Sequence, residues 1–402
     1  MQKPIAVLHL SASDKGGAFV VAANMANHLD DATIVSSHLI FTGLHQNVAI
    51  TGIPLIDKFI KFVLHALEKL QLMLHEKSKS TRFKFSLGHP GLPYFILKKY
   101  IRKADIIHIH WMNKGFINIR DLQKFKKPIV WTTHDIWAVT GGCHLTLGCT
   151  NFTTGCGNCP MMAEPGTEDI SRYLVNLKRK IYSNINLTLV SPSKWMGFNI
   201  ANSWLGKDIK QLVIPNGVDT SIFHFKETLT ENKLIIGFVA ANLNDPNKAL
   251  YRLIHAITLL KDPNRVKLLL VGNKKAEFDF TIPCEYEIVS GISGAETMAA
   301  LYQRMDVLAV TSSMETYPTT LMEGACCGTL TIGFNVGGIS EIIVPFIGQL
   351  IQPFDIPAYA LGLQHFCDNR MEKIHVATYA ANNFGIQKMG NQYKALYQTL
   401  MA

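Results

Sequence analysis

Ser312-Ser-Met-Glu-Thr-Tyr-Pro-Thr-Thr-Leu-Met-Glu-Gly-Ala-Cys-Cys-Gly328, directly behind the apolar run Val307-Leu-Ala-Val310, is the stretch on which the fold turns. A short buried strand, a polar loop and a helix predicted over Thr319 to Cys326 make the βα step of a doubly wound α/β unit, where ligands bind beyond the carboxyl ends of the strands. Glu315 falls in the loop and Glu323 in the helix, with seven residues between them. The start of that helix presents unpaired N–H groups and a positive dipole to the same edge, which suits a phosphate.

The alternation extends in both directions. Upstream, Leu234 to Val239, Lys267 to Val271 and Val307 to Val310 read as strands, with helical spacing over Leu250 to Leu260 and Ala295 to Tyr302. Further upstream the pattern occurs once more: Ile5 to Leu10, a Gly16-Gly17 loop, a helix over Phe19 to Leu29, then Ile106 to His110, Ile129 to Thr133, Leu187 to Val190 and Leu212 to Pro215. Buried runs separated by helices predict parallel sheets covered on both faces. The expected fold class is therefore α/β, with two Rossmann-like doubly wound domains in tandem. Turn residues and charges at Ile214 to Asp219 place the boundary. We expect a first domain over 1–215, a second over 216–382, and a final helix over 383–402 that crosses back to the first.

A length of 402 residues supports two cores, and 48% apolar with 17% charged residues excludes disorder. The net charge of +9 is uneven: residues 1 to 215 carry 25 Lys and Arg against 13 Asp and Glu, the remainder 14 against 17. A basic front half suits an anionic surface such as membrane headgroups, whereas no basic and aromatic interleaving points to nucleic acid. No signal-peptide pattern and no apolar run of about 20 residues is found, so a cytoplasmic protein, peripheral at most on the inner face of the plasma membrane, is expected. Over Leu55 to Glu76, Ile56, Phe59, Ile60, Val63, Leu67, Leu70 and Leu74 keep helical spacing, with Asp57, Lys61, His65, Glu68 and Lys69 on the other side and Lys77, Lys79, Arg82 and Lys84 following. Such a helix either lies on a membrane interface or packs its apolar stripe on its own domain.

The Glu315 to Glu323 segment resembles the E-x7-E signature of the large retaining glycosyltransferase family 4, and Val336-Gly-Gly-Ile-Ser-Glu341 resembles that family's next turn. The resemblance implies the GT-B architecture, two facing Rossmann-like domains whose closure excludes water. It implies that Glu315 contacts the donor sugar, that Glu323 binds the ribose hydroxyls, and that the backbone near Tyr317, Pro318, Thr319 and Thr320 holds the diphosphate. Ala240-Ala-Asn-Leu-Asn-Asp-Pro-Asn-Lys248 resembles the family's Arg and Lys clamp on the leaving diphosphate. Lys248 matches, but Asn242 stands where Arg is usual and Ala249 where Gly is, and an amide donates a weaker bond to phosphate than a guanidinium. Gly16 and Gly17 resemble the family's first glycine loop. His134, in Thr132-Thr-His-Asp-Ile-Trp137, resembles a family histidine that faces the cleft, with a purely structural histidine as the alternative, while Asp135 orients the loop or meets the acceptor.

Cys143, Cys149, Cys156 and Cys159 lie within 17 residues of an insertion, 141–160, resembling that of the colanic-acid and exopolysaccharide branch of the family. A structural zinc site, free or disulfide-paired thiols, and an iron–sulfur cluster all remain open. Taken together, the resemblance implies a hexosyltransferase of cell-surface polysaccharide biosynthesis, moving sugar from UDP- or GDP-sugar to a saccharide or lipid-linked acceptor with retention. No D-x-D motif is found, so no catalytic metal or other cofactor is expected. A catalytically silent scaffold and a GT-B sugar-nucleotide epimerase are the rivals.

Overall fold

The computed structural model describes residues 3–13, 16–41, 53–75, 77, 85–228, 232–369 and 372–402. The chain divides into two compact units, the first made of Met1–Pro215 with Met389–Ala402, the second of Asn216–Lys388.

In the first unit, β1 (Ile5–Ser11), β2 (Ile34–Ile40), β3 (Ile106–Trp111), β4 (Ile129–Thr132), β5 (Leu187–Ser191) and β6 (Lys210–Val213) form a sheet in the order β2-β1-β3-β4-β5-β6. Every pairing is parallel. Residues of β3, β4 and β5 are buried on both faces almost throughout, which is why they read as continuous apolar runs. The strand β2, Ile-Val-Ser-Ser-His-Leu-Ile, escapes a reading by hydrophobicity because it lies at the sheet edge and buries only Ile34 and Leu39. Helices α1 (Gly17–Leu29), α2 (Pro54–Met73), α3 (Tyr94–Ile101), α4 (Ile170–Tyr182) and α5 (Lys194–Ala201) belong to this unit. Asp169 caps α4 by accepting from the Ser171 and Arg172 amides, and Ser193 caps α5 through Met196, each cap contributing about 1 kcal/mol.

Helix α2 overturns the simple reading of its amphipathic face. Leu55, Phe59, Phe62, Leu70 and Leu74 are exposed, whereas Glu68, assigned to the polar side, is buried with Leu72. The side of the helix that carries Ile60, Leu64 and Glu68 faces the protein, and the Leu87 amide donates to Glu68 Oε1 at 3.3 Å. The basic residues Lys79, Arg82 and Lys84, like Lys15, lie outside the described residues.

The second unit has β7 (Leu234–Asn242), β8 (Val266–Asn273), β9 (Glu285–Val289), β10 (Val307–Val310), β11 (Leu330–Phe334) and β12 (Gly348–Ile351), ordered β12-β11-β10-β7-β8-β9 and parallel throughout. Its helices are α6 (Leu250–Thr258), α7 (Ala295–Arg304), α8 (Thr319–Cys326), α9 (Ile356–Asp368) and α10 (Lys373–Phe384). The strand order reverses between β7 and β10, the position where doubly wound sheets open a crevice for ligands. The last helix, α11 (Ile386–Met401), contributes its residues from Met389 onward to the first unit. There Tyr393 and Tyr397 are buried, their hydroxyls 2.6 Å from Thr132 Oγ1 and His108 Nδ1. Both units thus carry the doubly wound α/β architecture of GT-B proteins.

Candidate active site

The loops that leave β7 and β10 meet at the reversal point of the second unit. Behind β7, Asn247 Nδ2 donates to the Met314 carbonyl at 3.0 Å, and the Ser313 amide donates to the Asn247 carbonyl at 2.8 Å. Arg252, on α6, donates to the Thr311 carbonyl and to Ser313 Oγ, both at 3.0 Å. Thr311 Oγ1 closes the other side on the Lys248 and Ala249 carbonyls. These bonds fix the two loops against each other, and Lys248 Nζ then lies 2.6 Å from Glu315 Oε1 in a half-buried ion pair. Ala249, the cap of α6, has φ +53, a left-handed backbone for which glycine is better suited.

Glu315 is held from behind as well. The Gly338 amide donates to the Glu315 carbonyl at 2.9 Å, and Gly337 has φ +62. A Cβ on Gly337 would lie 1.7 Å from that carbonyl oxygen, so the turn admits no side chain. The following helix, α8, starts at Thr319 with Pro318 as its N-cap, whose side chain makes no capping hydrogen bond. Lys248, Ser312 and Thr320 line a narrow recess with Phe238 and Val239 from β7. Among the described residues, the buried Ser312 Oγ has no hydrogen-bond partner. An ammonium, an uncapped helix start and an unpartnered hydroxyl form a setting for an anion.

Three of the residues singled out from sequence make bonds within the second unit. Asn242 Oδ1 accepts from the Asn244 amide at 3.2 Å, closing its own turn. Glu323 is buried and accepts from the Tyr302 hydroxyl at 2.9 Å; burial raises its pKa. Tyr317 is buried, with its carbonyl 3.3 Å from Asn216 Nδ2.

In the first unit, Gly16 and Gly17 are exposed at the start of α1, with Gly16 at φ +91. His134 follows β4, and hydrophobicity alone did not reveal what surrounds it. His9 on β1 is in register with His38 on β2 and His108 on β3, and His110 is two residues further along the same face. His9 Nδ1 lies 3.1 Å from His110 Nε2, and His110 Nδ1 lies 3.1 Å from His134 Nε2. Burial pushes the whole row toward the neutral form, to about 3 for His9 and about 4 for His38 and His134, with His108 and His110 well below the usual value. The signal available in the sequence was His9, His38 and the His108-Ile-His110 pair, each inside a strand, but their equal register is a tertiary fact. Asp135 accepts from the Trp137 amide at 2.8 Å and is 2.7 Å from His144 Nδ1, an arrangement that orders the loop after His134.

Against this geometry, the model of "Glycosyltransferase Family 4" matches residues 15–222, more than half of the chain, and that of "Glycosyl transferases group 1" matches 219–384. The chain belongs to glycosyltransferase family 4. It is similar to WcaC of Escherichia coli K12, described as a colanic acid biosynthesis glycosyl transferase, at 28% identity over 270 residues, 62% of this chain and 64% of that one. It is also similar to the MMP alpha-(1->4)-mannosyltransferase of Mycolicibacterium hassiacum, at 26% identity over 47% of this chain and 48% of the relative. The matched regions thus span less than two thirds of the length of either relative. Among solved structures, sucrose-phosphate synthase from Thermosynechococcus elongatus aligns with TM-score 0.67 at 17% identity, covering 99% of both chains. Anabaena HepE in complex with UDP-glucose aligns with TM-score 0.63 at 15% identity, covering 98% of this chain and 100% of that one. At these identities the family's fold is what the two structures share with this chain.

Proposed function

We propose that this protein is a retaining glycosyltransferase that moves a hexosyl group from a UDP- or GDP-sugar to a saccharide or lipid-linked acceptor in cell-surface polysaccharide biosynthesis. The observation that carries the reading is the Lys248–Glu315 ion pair at the strand-order reversal, beside the uncapped start of α8 and the unpartnered Ser312 hydroxyl. Family membership and the likeness to WcaC support the reaction class and the polysaccharide setting. Solved relatives in complex with UDP and UDP-glucose support a nucleotide sugar as donor.

In this reading Lys248 exchanges part of its bond to Glu315 for the donor diphosphate, with the α8 amides at Thr319 and Thr320 and the Ser312 hydroxyl completing the contact. Glu315 is then released to accept from hydroxyls of the donor sugar. As the bond from the anomeric carbon to the phosphate oxygen breaks, negative charge grows on the diphosphate, and a fixed ammonium and helix start stabilise it without reorganisation. The acceptor oxygen bonds to the same face of the anomeric carbon, and its proton passes to the departing phosphate oxygen. His134, neutral within its histidine row, positions the reacting sugar or the acceptor, Gly16 and Gly17 let backbone amides approach it, and Glu323 serves the ribose once it leaves Tyr302. The exposed Leu55, Phe59, Phe62 and Leu70 of α2 and Leu74 just after it, with the exposed Lys58 and Lys77, rest on the membrane surface that holds a lipid-linked acceptor. Among the described residues no helix is long and apolar enough to cross a membrane.

The test is incubation with a panel of sugar nucleotides and a lipid-extracted acceptor pool, reading release of nucleoside diphosphate and the anomeric configuration of the product by NMR. Release with an inverted product removes the retaining mechanism, and binding without release favours the scaffold.

A further inference from the structure

The loop behind His134 carries its cysteines in the order Cys143-x5-Cys149-x6-Cys156-x2-Cys159. All four line one small recess that is walled by Phe85 and Phe152. None is in a disulfide. To converge, the chain adopts positive φ at Gly142, Leu147, Gly148, Gly155, Cys156, Gly157 and Asn158, the last three bending the Cys156-x2-Cys159 pair into a knuckle. Amide-to-sulfur bonding is already in place, since the Gly141 amide donates to Cys156 Sγ at 3.2 Å.

A buried cation accompanies the thiols. Lys178 is almost wholly buried, its ammonium donating to the Trp137 and Thr140 carbonyls and lying 3.4 Å from the centre of the Trp137 ring.

The other cluster that invites a metal answers differently. The ring nitrogens of His9, His108 and His110 lie within 4.8 Å of one another. Both nitrogens of His108 are taken by Tyr397 and Thr132, both of His110 by His9 and His134, and only His9 Nε2 is left. That cluster is a hydrogen-bonded network, whereas the four cysteines line a single recess.

We propose that Cys143, Cys149, Cys156 and Cys159 together bind one Zn²⁺ as a closed tetrathiolate site that braces the loop carrying His134 and Asp135. Each thiol gives up its proton on ligation, so a dipositive ion and four thiolates leave a net charge of −2, which Lys178 partly offsets. The brace reaches the loop through Cys143: its carbonyl accepts from Thr140 Oγ1 at 2.8 Å, and the next residue, His144, lies 2.7 Å from Asp135 Oδ2 and 2.8 Å from Ser86 Oγ. The metal assignment stands independently of the transfer reaction proposed above.

The experiment uses the full chain, purified under reducing conditions without a metal-affinity step. Plasma mass spectrometry is expected to find about one zinc per chain, falling about tenfold in a Cys156→Ser/Cys159→Ser variant and unchanged in Cys367→Ser. Because the double variant can fail to fold, Co²⁺ is also exchanged into the unmodified protein, where intense thiolate charge-transfer and tetrahedral visible bands are expected. Iron with acid-labile sulfide, disulfides joining these cysteines in unreduced peptide maps, or a cobalt spectrum without thiolate bands would each overturn the assignment.

Discussion

Lys248 Nζ and Glu315 Oε1 lie 2.6 Å apart although 67 positions separate them in sequence. Each follows a different strand of the pair at which the sheet order reverses, so the ion pair is a product of strand order and not of either loop alone. Truncating Lys248 to Ala removes the charge that meets the diphosphate and leaves Glu315 half-buried without its partner. We expect transfer to fall about 10²- to 10³-fold in kcat for Lys248→Ala and for Glu315→Gln, with the double variant much less than the product of the two losses. Steady-state release of nucleoside diphosphate measures this; additive losses would show that the two act separately.

Gly337 supports the same carboxylate from behind. Gly337→Ala places a methyl 1.7 Å from the Glu315 carbonyl oxygen, and the turn must open. Destabilisation of more than about 2 kcal/mol is expected, accompanied by weaker donor binding. Gly291 is the control, because it has φ +69 but open space around a Cβ, so Gly291→Ala costs only the backbone term of about 1 kcal/mol. Urea unfolding of the two variants separates clash from backbone conformation, and equal losses would deny the clash.

Glu68 predicts a pH dependence of stability. Burial raises its folded pKa from 4.5 to about 7. Between those values the native state holds a proton that the unfolded chain has released, so stability falls as pH rises through this window, by on the order of 3 kcal/mol when complete. Glu68→Gln removes the dependence and is more stable than the parent at about pH 8, with little difference at about pH 4. Guanidinium midpoints across the range test the sign, and a parent that gains stability relative to the variant as pH rises contradicts it.

Tyr397 ties the last helix to the first sheet through His108 Nδ1 at 2.6 Å. Tyr397→Phe keeps the ring and leaves that buried nitrogen without a partner, at a cost of about 1 to 3 kcal/mol. Tyr393 bonds Thr132, which in turn bonds His108 Nε2, so Tyr393→Phe and Tyr397→Phe are expected to couple in a double-mutant cycle. Thermal unfolding of the single and double variants reads the coupling, and strict additivity removes the network.

The sequence by itself determined the repeated strand and helix alternation, the start of α8 at Thr319 and the placement of Glu315 and Lys248 behind buried strands, because apolar runs and helix periodicity are local consequences of burial. Edge strands such as β2 and β9 escaped that reading, since exposed side chains break the apolar run. Only the tertiary structure decided what depends on register and strand order. It brought His9, His38 and His108 into one row, closed the ion pair, gathered the cysteines of the insertion around one recess, and turned Glu68 inward on a helix that leaves Leu55, Phe59, Phe62 and Leu70 exposed. Hydrophobic periodicity marks two faces of a helix, but the neighbours that the fold supplies select which one is buried.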